Sequence, residues 1–198
     1  MTTRRTVFLN LAALSVCSGA LASGTLVGHW PFDESGGMTA ADSGPNGYDG
    51  TLAGGTPTFV PGGISGNAIS LASPTNDHVN MGVIPFNGSP FSLSLWIRTE
   101  TTAYAVVAGR HRATLVQGYF LGINAGSGYV QQDKAHAYVS TVPGGEPISF
   151  TSINDGEWHH LVMTHVPGQN VILWVDGVLE SARPAPAYAS SAAPFIVG

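Results

Sequence analysis

The sequence predicts an all-β fold, an antiparallel sandwich or barrel, on three observations. Helical periodicity is nearly absent, and short runs rich in β-branched and aromatic residues recur between Gly, Pro, Asn and Asp clusters. Gly (26) and Pro (13) supply about a fifth of the 198 residues, an inventory that suits many turns. Only 10% of the chain is charged and 43% is hydrophobic, enough to bury the core of one ordinary domain.

The first element has the layout of a secretory leader. Arg4 and Arg5 precede an apolar stretch from Val7 to Val16, and Ala20-Leu21-Ala22 supplies a small-x-small cleavage site. The order predicts a signal peptide over 1–22, cleaved before Ser23, and one domain over 23–198. A membrane anchor fits poorly, because a span needs about 20 apolar residues and Asn10 interrupts this run. A lipoprotein reading of Leu14-Ser15-Val16-Cys17 is weaker, since Val16 is bulkier than the small residue expected before a lipidated Cys. Loss of the leader removes two of seven cations and the single cysteine, leaving five cations, twelve anions and a net charge of −7. The exported domain would then rely on its core rather than on disulfides. The leader pattern points to a protein secreted or held at the cell surface, with a bacterial source expected, and the scarce cations argue against a nucleic-acid partner.

Ten strand-like runs follow: Thr25–Phe32, Ala68–Leu71, His78–Met81, Phe91–Arg98, Ala103–Gly109, Tyr119–Asn124, Ala135–Val142, His159–His165, Asn170–Val175 and Phe195–Val197. Phe91-Ser-Leu-Ser-Leu-Trp-Ile-Arg98 alternates large apolar with small polar residues, the pattern of a strand buried on one face, with Trp96 on the other parity. Asn170–Val175 is continuously apolar, as expected of a central strand covered on both faces. Asp176-Gly177 offers a two-residue hairpin turn into Val178. Trp30, Trp96, Trp158 and Trp174 all lie in apolar strand patterns and are assigned to the core. Gly126-Ser-Gly128 and Pro143-Gly-Gly145 read as loops, and 183–194 as an Ala/Pro/Ser-rich connection.

Four segments carry a family resemblance: GHWPFDESGG (Gly28–Gly37) with ADSGPNGYDGTL (Ala41–Leu52), GNAISL…DHVNMG (Gly66–Gly82), PFSLSLWIRT (Pro90–Thr99), and NDGEWHHLVMTH…VILWVDGVLES (Asn154–Ser181). In this order they resemble the LamG-like jelly-roll domains, the laminin-G/pentraxin branch of the concanavalin A-like sandwiches. The resemblance implies two antiparallel sheets packed face to face, and binding or scaffolding roles in exported proteins. It also implies a further strand after Gly198, of pattern Gly-x-hydrophobic-Asp-Glu-hydrophobic, pairing near the N-terminal strand; the domain is expected to be one strand short. His159 and His160 occupy adjacent strand positions, so they face opposite sides and cannot share a metal from one face; they read as structural.

Catalysis finds no support. Glycosidases need two carboxylates flanking the scissile bond, and enzymes of this fold commonly set them as Glu-x-Asp-x-x-Glu; the five Glu, at 34, 100, 146, 157 and 180, show no such spacing. No Gly-x-Ser-x-Gly or His-Glu-x-x-His motif occurs either. Calcium has candidates in the oxygen-rich loop Asp42–Gly50, where related domains often hold a structural ion; Asp33, Asp42 and Asn46 are the expected ligands. Sugar-binding candidates are Tyr104, Arg110, His111, Arg112 and Tyr119 around one hairpin, with Tyr129, Gln131 and Gln132 in another loop. Aromatic faces stack on sugar rings, and Arg110-His-Arg112 is the one positive cluster, suited to an acidic sugar or carboxylate. The expected function is a secreted, non-catalytic module for adhesion or carbohydrate recognition. The expected partner is a glycan or a cell-surface protein, with a self-associating surface scaffold as the alternative.

Overall fold

The computed structural model describes residues 5–16, 24–73, 75–85, 88–112, 117–124, 132–140, 146–185 and 192–198. Its strands are β1 (Arg5–Val16), β2 (Thr25–Trp30), β3 (Thr39–Ala40), β4 (Gly50–Ala53), β5 (Thr58–Pro61), β6 (Asn67–Ser73), β7 (His78–Asn80) and β8 (Phe91–Thr99). They continue as β9 (Ala105–Arg112), β10 (Gln117–Ile123), β11 (Lys134–Val139), β12 (Ile148–Ser152), β13 (Trp158–His165), β14 (Asn170–Val175), β15 (Val178–Pro184) and β16 (Ile196–Val197). No helix occurs among the described residues, so none is long and apolar enough to cross a membrane.

Two antiparallel sheets form. Sheet A runs β15-β14-β13-β8-β1-β6-β5 with β2 also paired to β1, and sheet B runs β12-β11-β10-β9-β16-β7-β4-β3. The expected all-β sandwich is therefore present. The alternation of β8 explains how the layers meet: Phe91, Leu93, Leu95 and Ile97 are buried while Ser92, Ser94, Trp96 and Arg98 are half-buried on the opposite face. β13 repeats the pattern with Leu161, Met163 and His165 inward. From sheet B, Tyr119, Leu121, Ile123, Ala135, Ala137 and Val139 close the same core. Asp176 (φ 51°) and Gly177 (φ 80°) both have positive φ, so the predicted two-residue turn joins β14 to β15.

Two expectations change here. β14 lies next to the edge strand, and its burial alternates: Val171, Leu173 and Val175 face the core, while Ile172 and Trp174 are half-buried on the outer face. Of the four tryptophans, only Trp30 is in the core. Trp96, Trp158 and Trp174 share the outward parity of sheet A. Apolar content told that these residues belong to strands, not which face they occupy.

The segment with a leader's composition is β1. It pairs with β8 along one side, from Val7↔Thr99 to Val16↔Phe91, and on the other with β6 and then β2. The place beside β2, which the resemblance gives to a last strand, is held in this structure by Arg5–Val16. Cleavage after Ala22 is a separate matter of processing; residues 17–23 lie outside those described.

Asp77 locks the sheet-to-sheet edge. It is only 5% exposed and accepts from the backbone N–H of Gly55, Thr56 and Ala72 and from the Thr75 hydroxyl, at 2.8–3.0 Å. Burial alone would raise its pKa; the bonds from Ala72, Thr56, Thr75 and Gly55 outweigh this, and the net shift is downward. A depressed carboxylate contributes stability above its unfolded pKa and loses it as pH falls through the lower folded value. Asp77→Asn is thus expected to cost about 2 kcal/mol at pH 7. The gap in melting temperature between the two proteins should narrow steadily below about pH 4; a gap constant from pH 7 to pH 3 would show that the charge plays no part.

Candidate functional site

The residues predicted around the β9–β10 hairpin separate. Tyr119 is 0% exposed, with its ring tilted against Phe91 (centroids 4.3 Å apart) and Phe195 (6.4 Å). Arg110 pairs with Tyr119 in register, is 7% exposed and donates from Nη1 to the Ile84 carbonyl at 2.9 Å. Neither presents a surface to a ligand, and the positive cluster loses its leading member to the interior. His111 and Arg112 lie on β9 with side chains outside those described, as do Tyr129 and Gln131 entirely. Among Tyr104, Arg110 and Tyr119, whose side chains are described, Tyr104 alone stands out, at 50% exposed.

Tyr104 borders a group the sequence did not reveal. On β11, inward Ala135, Ala137 and Val139 alternate with outward Lys134, His136 and Tyr138. His136 is 1% exposed, and its ring lies 5.8 Å from Tyr104 and edge-on to Phe120 at 5.5 Å. Its Nδ1 is 2.5 Å from Glu146 Oε2. With the carboxylate accepting from Nδ1–H, Nε2 is the acceptor in the neutral ring, and among the described residues it has no partner. Space for the ring comes from Gly122, where a Cβ would lie 2.4 Å from Nε2. Burial, and then the Glu146 charge, push the Tyr104 phenol above its ordinary pKa, so it remains a hydroxyl donor.

The strand register extends this group into a row. Tyr138, Phe120, Gly109, Ile196, Asn80 and Thr51 stand opposite one another from β11 across to β4. Phe120 and Tyr138 stack at 4.9 Å and are buried, as is Gly109, while Asn80 and Thr51 are accessible. At the far end Asp49, Thr51, Ala53, Asn80, Met81 and Gly82 line a depression of about 380 Å³. Six adjacent strands at about 4.8 Å spacing give the row a length of roughly 24 Å. The outer face of sheet B thus offers the half-exposed Tyr104 ring at one end and hydroxyl, amide and carboxylate groups at the other.

The expected calcium ligands do not converge. Asp42 Oδ1 accepts from His29 N (2.8 Å) and Gly44 N (2.7 Å), and Oδ2 from Tyr48 N (2.8 Å). Asp33 Oδ1 accepts from Asn67 N at 2.8 Å, and Asn46 donates its amide to the Val27 carbonyl at 2.7 Å. The Asp42–Gly44 bond closes an Asx turn and the others tie more distant segments together; among the described residues no group of three or more His, Cys, Asp or Glu side chains is placed to hold a metal.

The paired histidines face opposite ways, as expected. His159 sits between Asp176 Oδ2 (2.8 Å from Nδ1) and Asp155 Oδ1 (3.2 Å from Nε2), tying the turn before β13 to the β14–β15 turn. Burial would lower its pKa, but the bonds and charges of Asp176 and Asp155 prevail and the net shift is upward. A raised imidazole pKa contributes stability that is complete below the unfolded value, about 6.5, and is lost as pH rises through the folded one. His159→Gln is therefore expected to lower the melting temperature most at pH 6 and least at pH 8. An equal loss at both would mean that the clamp works without charge.

Known proteins agree with this architecture. The family described as the concanavalin A-like lectin/glucanases superfamily matches residues 73–198. Among solved structures, domain 4 of AbnA, a GH43 extracellular arabinanase from Geobacillus stearothermophilus in complex with arabinotriose, is 19% identical with a TM-score of 0.60. That match covers 96% of this chain and 84% of the other. The binding domain of Paraclostridial Mosquitocidal Protein 1 is 16% identical with a TM-score of 0.63, over 95% of this chain and 44% of that one. At such identities the likeness shows a shared fold. No curated protein sequence matches the chain. With more than half of its length matched by the family, and two antiparallel sheets closing one core, the chain belongs to the concanavalin A-like lectin/glucanase superfamily.

Proposed function

We propose that this protein is an exported, non-catalytic glycan-binding module whose ligand lies along the outer face of sheet B. One observation carries the reading: half-exposed Tyr104 stands beside an imidazole oriented by Glu146, and a row of outward positions leads from there to a polar depression. A sugar presents C–H faces and hydroxyls together. The phenol ring of Tyr104 suits the first, and Asn80, Thr51 and Asp49 suit the second, with buried His136 backing the phenol from beneath. The solved arabinanase domain with bound arabinotriose supports this class of ligand, and its extracellular parent supports export.

A panel of immobilised arabinan, xylan, glucan and galactan tests the proposal. Retention on at least one, reduced tenfold or more by Tyr104→Ala with the fold intact, is expected. Retention on none, or release of reducing ends from any, would refute it. A self-associating scaffold is the second reading, because Phe150 (82% exposed), Val178 (60%) and Leu179 (50%) leave apolar surface on β12 and β15. Sedimentation that stays monomeric across concentration removes that reading.

A further inference from the structure

We infer that the outer face of sheet A is a second glycan site, a tryptophan platform that takes an uncharged oligosaccharide. The inference rests on the glycan-binding reading for its ligand class, but on a different surface. Outward positions of β8, β13 and β14 bring together Arg98 opposite Trp158, Trp96 opposite His160, and Ser94 opposite Val162, itself opposite Trp174. The Trp96 and His160 rings stack at 4.9 Å and 25°, and the Arg98 guanidinium lies 5.2 Å over the Trp158 ring. His160 Nε2 and Ser94 Oγ are 2.8 Å apart, which holds the imidazole flat beside Trp96 and leaves hydroxyl chemistry within the platform. All of these outward side chains are half-buried, so their rings keep exposed surface.

Structural need does not explain three tryptophans here. The sandwich core is complete without them, since the buried residues of β8, β13 and β14 all have the opposite parity. An outward strand face in contact with water is ordinarily polar.

Charge and area choose the occupant. No carboxylate stands at any outward position of Phe91–Thr99, Trp158–His165 or Asn170–Val175, although the chain carries twelve acids and a net charge of −5. The one cation, Arg98, is laid on an indole ring. Burial holds the His160 pKa down against the opposing charge of Asp176. Such a surface suits a ligand that brings C–H faces and hydroxyls without net charge. Three strands about 4.8 Å apart and four outward positions about 6.7 Å apart cover roughly 200 Å². A stable protein interface takes about 800 Å² per partner, so the platform matches a few sugar units rather than a second copy of this chain.

The test follows tryptophan fluorescence and heat together while a neutral β-1,4-linked glucose tetramer is titrated into the full chain. Trp30 is sealed in the core, so a ligand-induced change in emission reports the platform. The expected result is a saturable change whose affinity falls tenfold or more in Trp96→Ala and in Trp174→Ala, and less in Trp96→Phe, which keeps a ring. Heat without a change in emission leaves the sheet B proposal standing and overturns this one. So does an affinity unaltered in Trp96→Phe and Trp174→Ala. Tighter binding of a galacturonate tetramer on the same face overturns the uncharged occupant, and a concentration-dependent dimer lost in Trp174→Ala assigns the face to a second copy. No heat with this or any neutral glycan refutes both proposals.

Discussion

A chain begun at Ser23 is expected to lose cooperative unfolding, or to melt at least 10 °C below the chain of 198 residues. Residues 5–16 form β1, which is hydrogen-bonded to β8 on one side and to β6 and β2 on the other. Its removal leaves β6 and β5 with no path to β8 in sheet A. Each backbone bond contributes only about 1 kcal/mol net, but the two ladders hold enough of them to rival the 5–15 kcal/mol of a typical domain. Open strand edges in the middle of a sheet also invite pairing with other chains. A synthetic peptide of residues 5–16, added in trans, is expected to restore a cooperative melt. Mass spectrometry of the exported protein shows which form exists in the medium. Should the Ser23 chain melt at the same temperature as the longer one, with the same cooperativity, β1 has no part in holding the sheet together.

Trp30→Ala is expected to destabilise by about 4 kcal/mol, at the upper end for a point change in a core. Trp30 is 0% exposed, stacks on Phe195 at 6.2 Å and 14°, and donates from Nε1 to the Tyr48 carbonyl at 2.8 Å. Its loss leaves a cavity between the two sheets and a carbonyl without its donor, two costs that add. Trp30→Phe refills much of the volume but cannot donate, so roughly half of the loss should remain. Denaturant midpoints for the three proteins measure this. A Trp30→Ala loss under 1 kcal/mol would mean that the site collapses freely, contrary to a close-packed interior.

The strands of this fold are largely legible in the sequence, because alternation is a local signal. Phe91–Thr99 displays its parity residue by residue, and Asp176-Gly177 announces its turn. Faces are harder. In Asn170–Val175 every position from 171 is apolar, so nothing local distinguishes inward Leu173 from outward Trp174; only the register with β13 does. Arg110 and Tyr119 looked like hairpin-tip residues, but the partner that draws Arg110 inward is the Ile84 carbonyl, 26 residues away. His136 and Glu146, ten positions apart in sequence, meet across a connection beyond the reach of any pattern. The one signal that pointed there is Ala-His-Ala-Tyr over 135–138, where small and large residues alternate and the large ones face outward. The leader pattern has a similar origin: an apolar run behind two arginines satisfies both export and a central strand, since each asks mainly for hydrophobicity.

Backbone amide NMR during a titration with arabinotriose shows whether a glycan lies along the outer face of sheet B. Amides of Phe120, Gly122, His136, Asn80 and Thr51 are expected to shift together and saturate at one ligand concentration, with the His136 ring nitrogens moving in step. Shifts confined to the Asp33–Asn46 region, or none in sheet B while the oligosaccharide demonstrably binds, would contradict it.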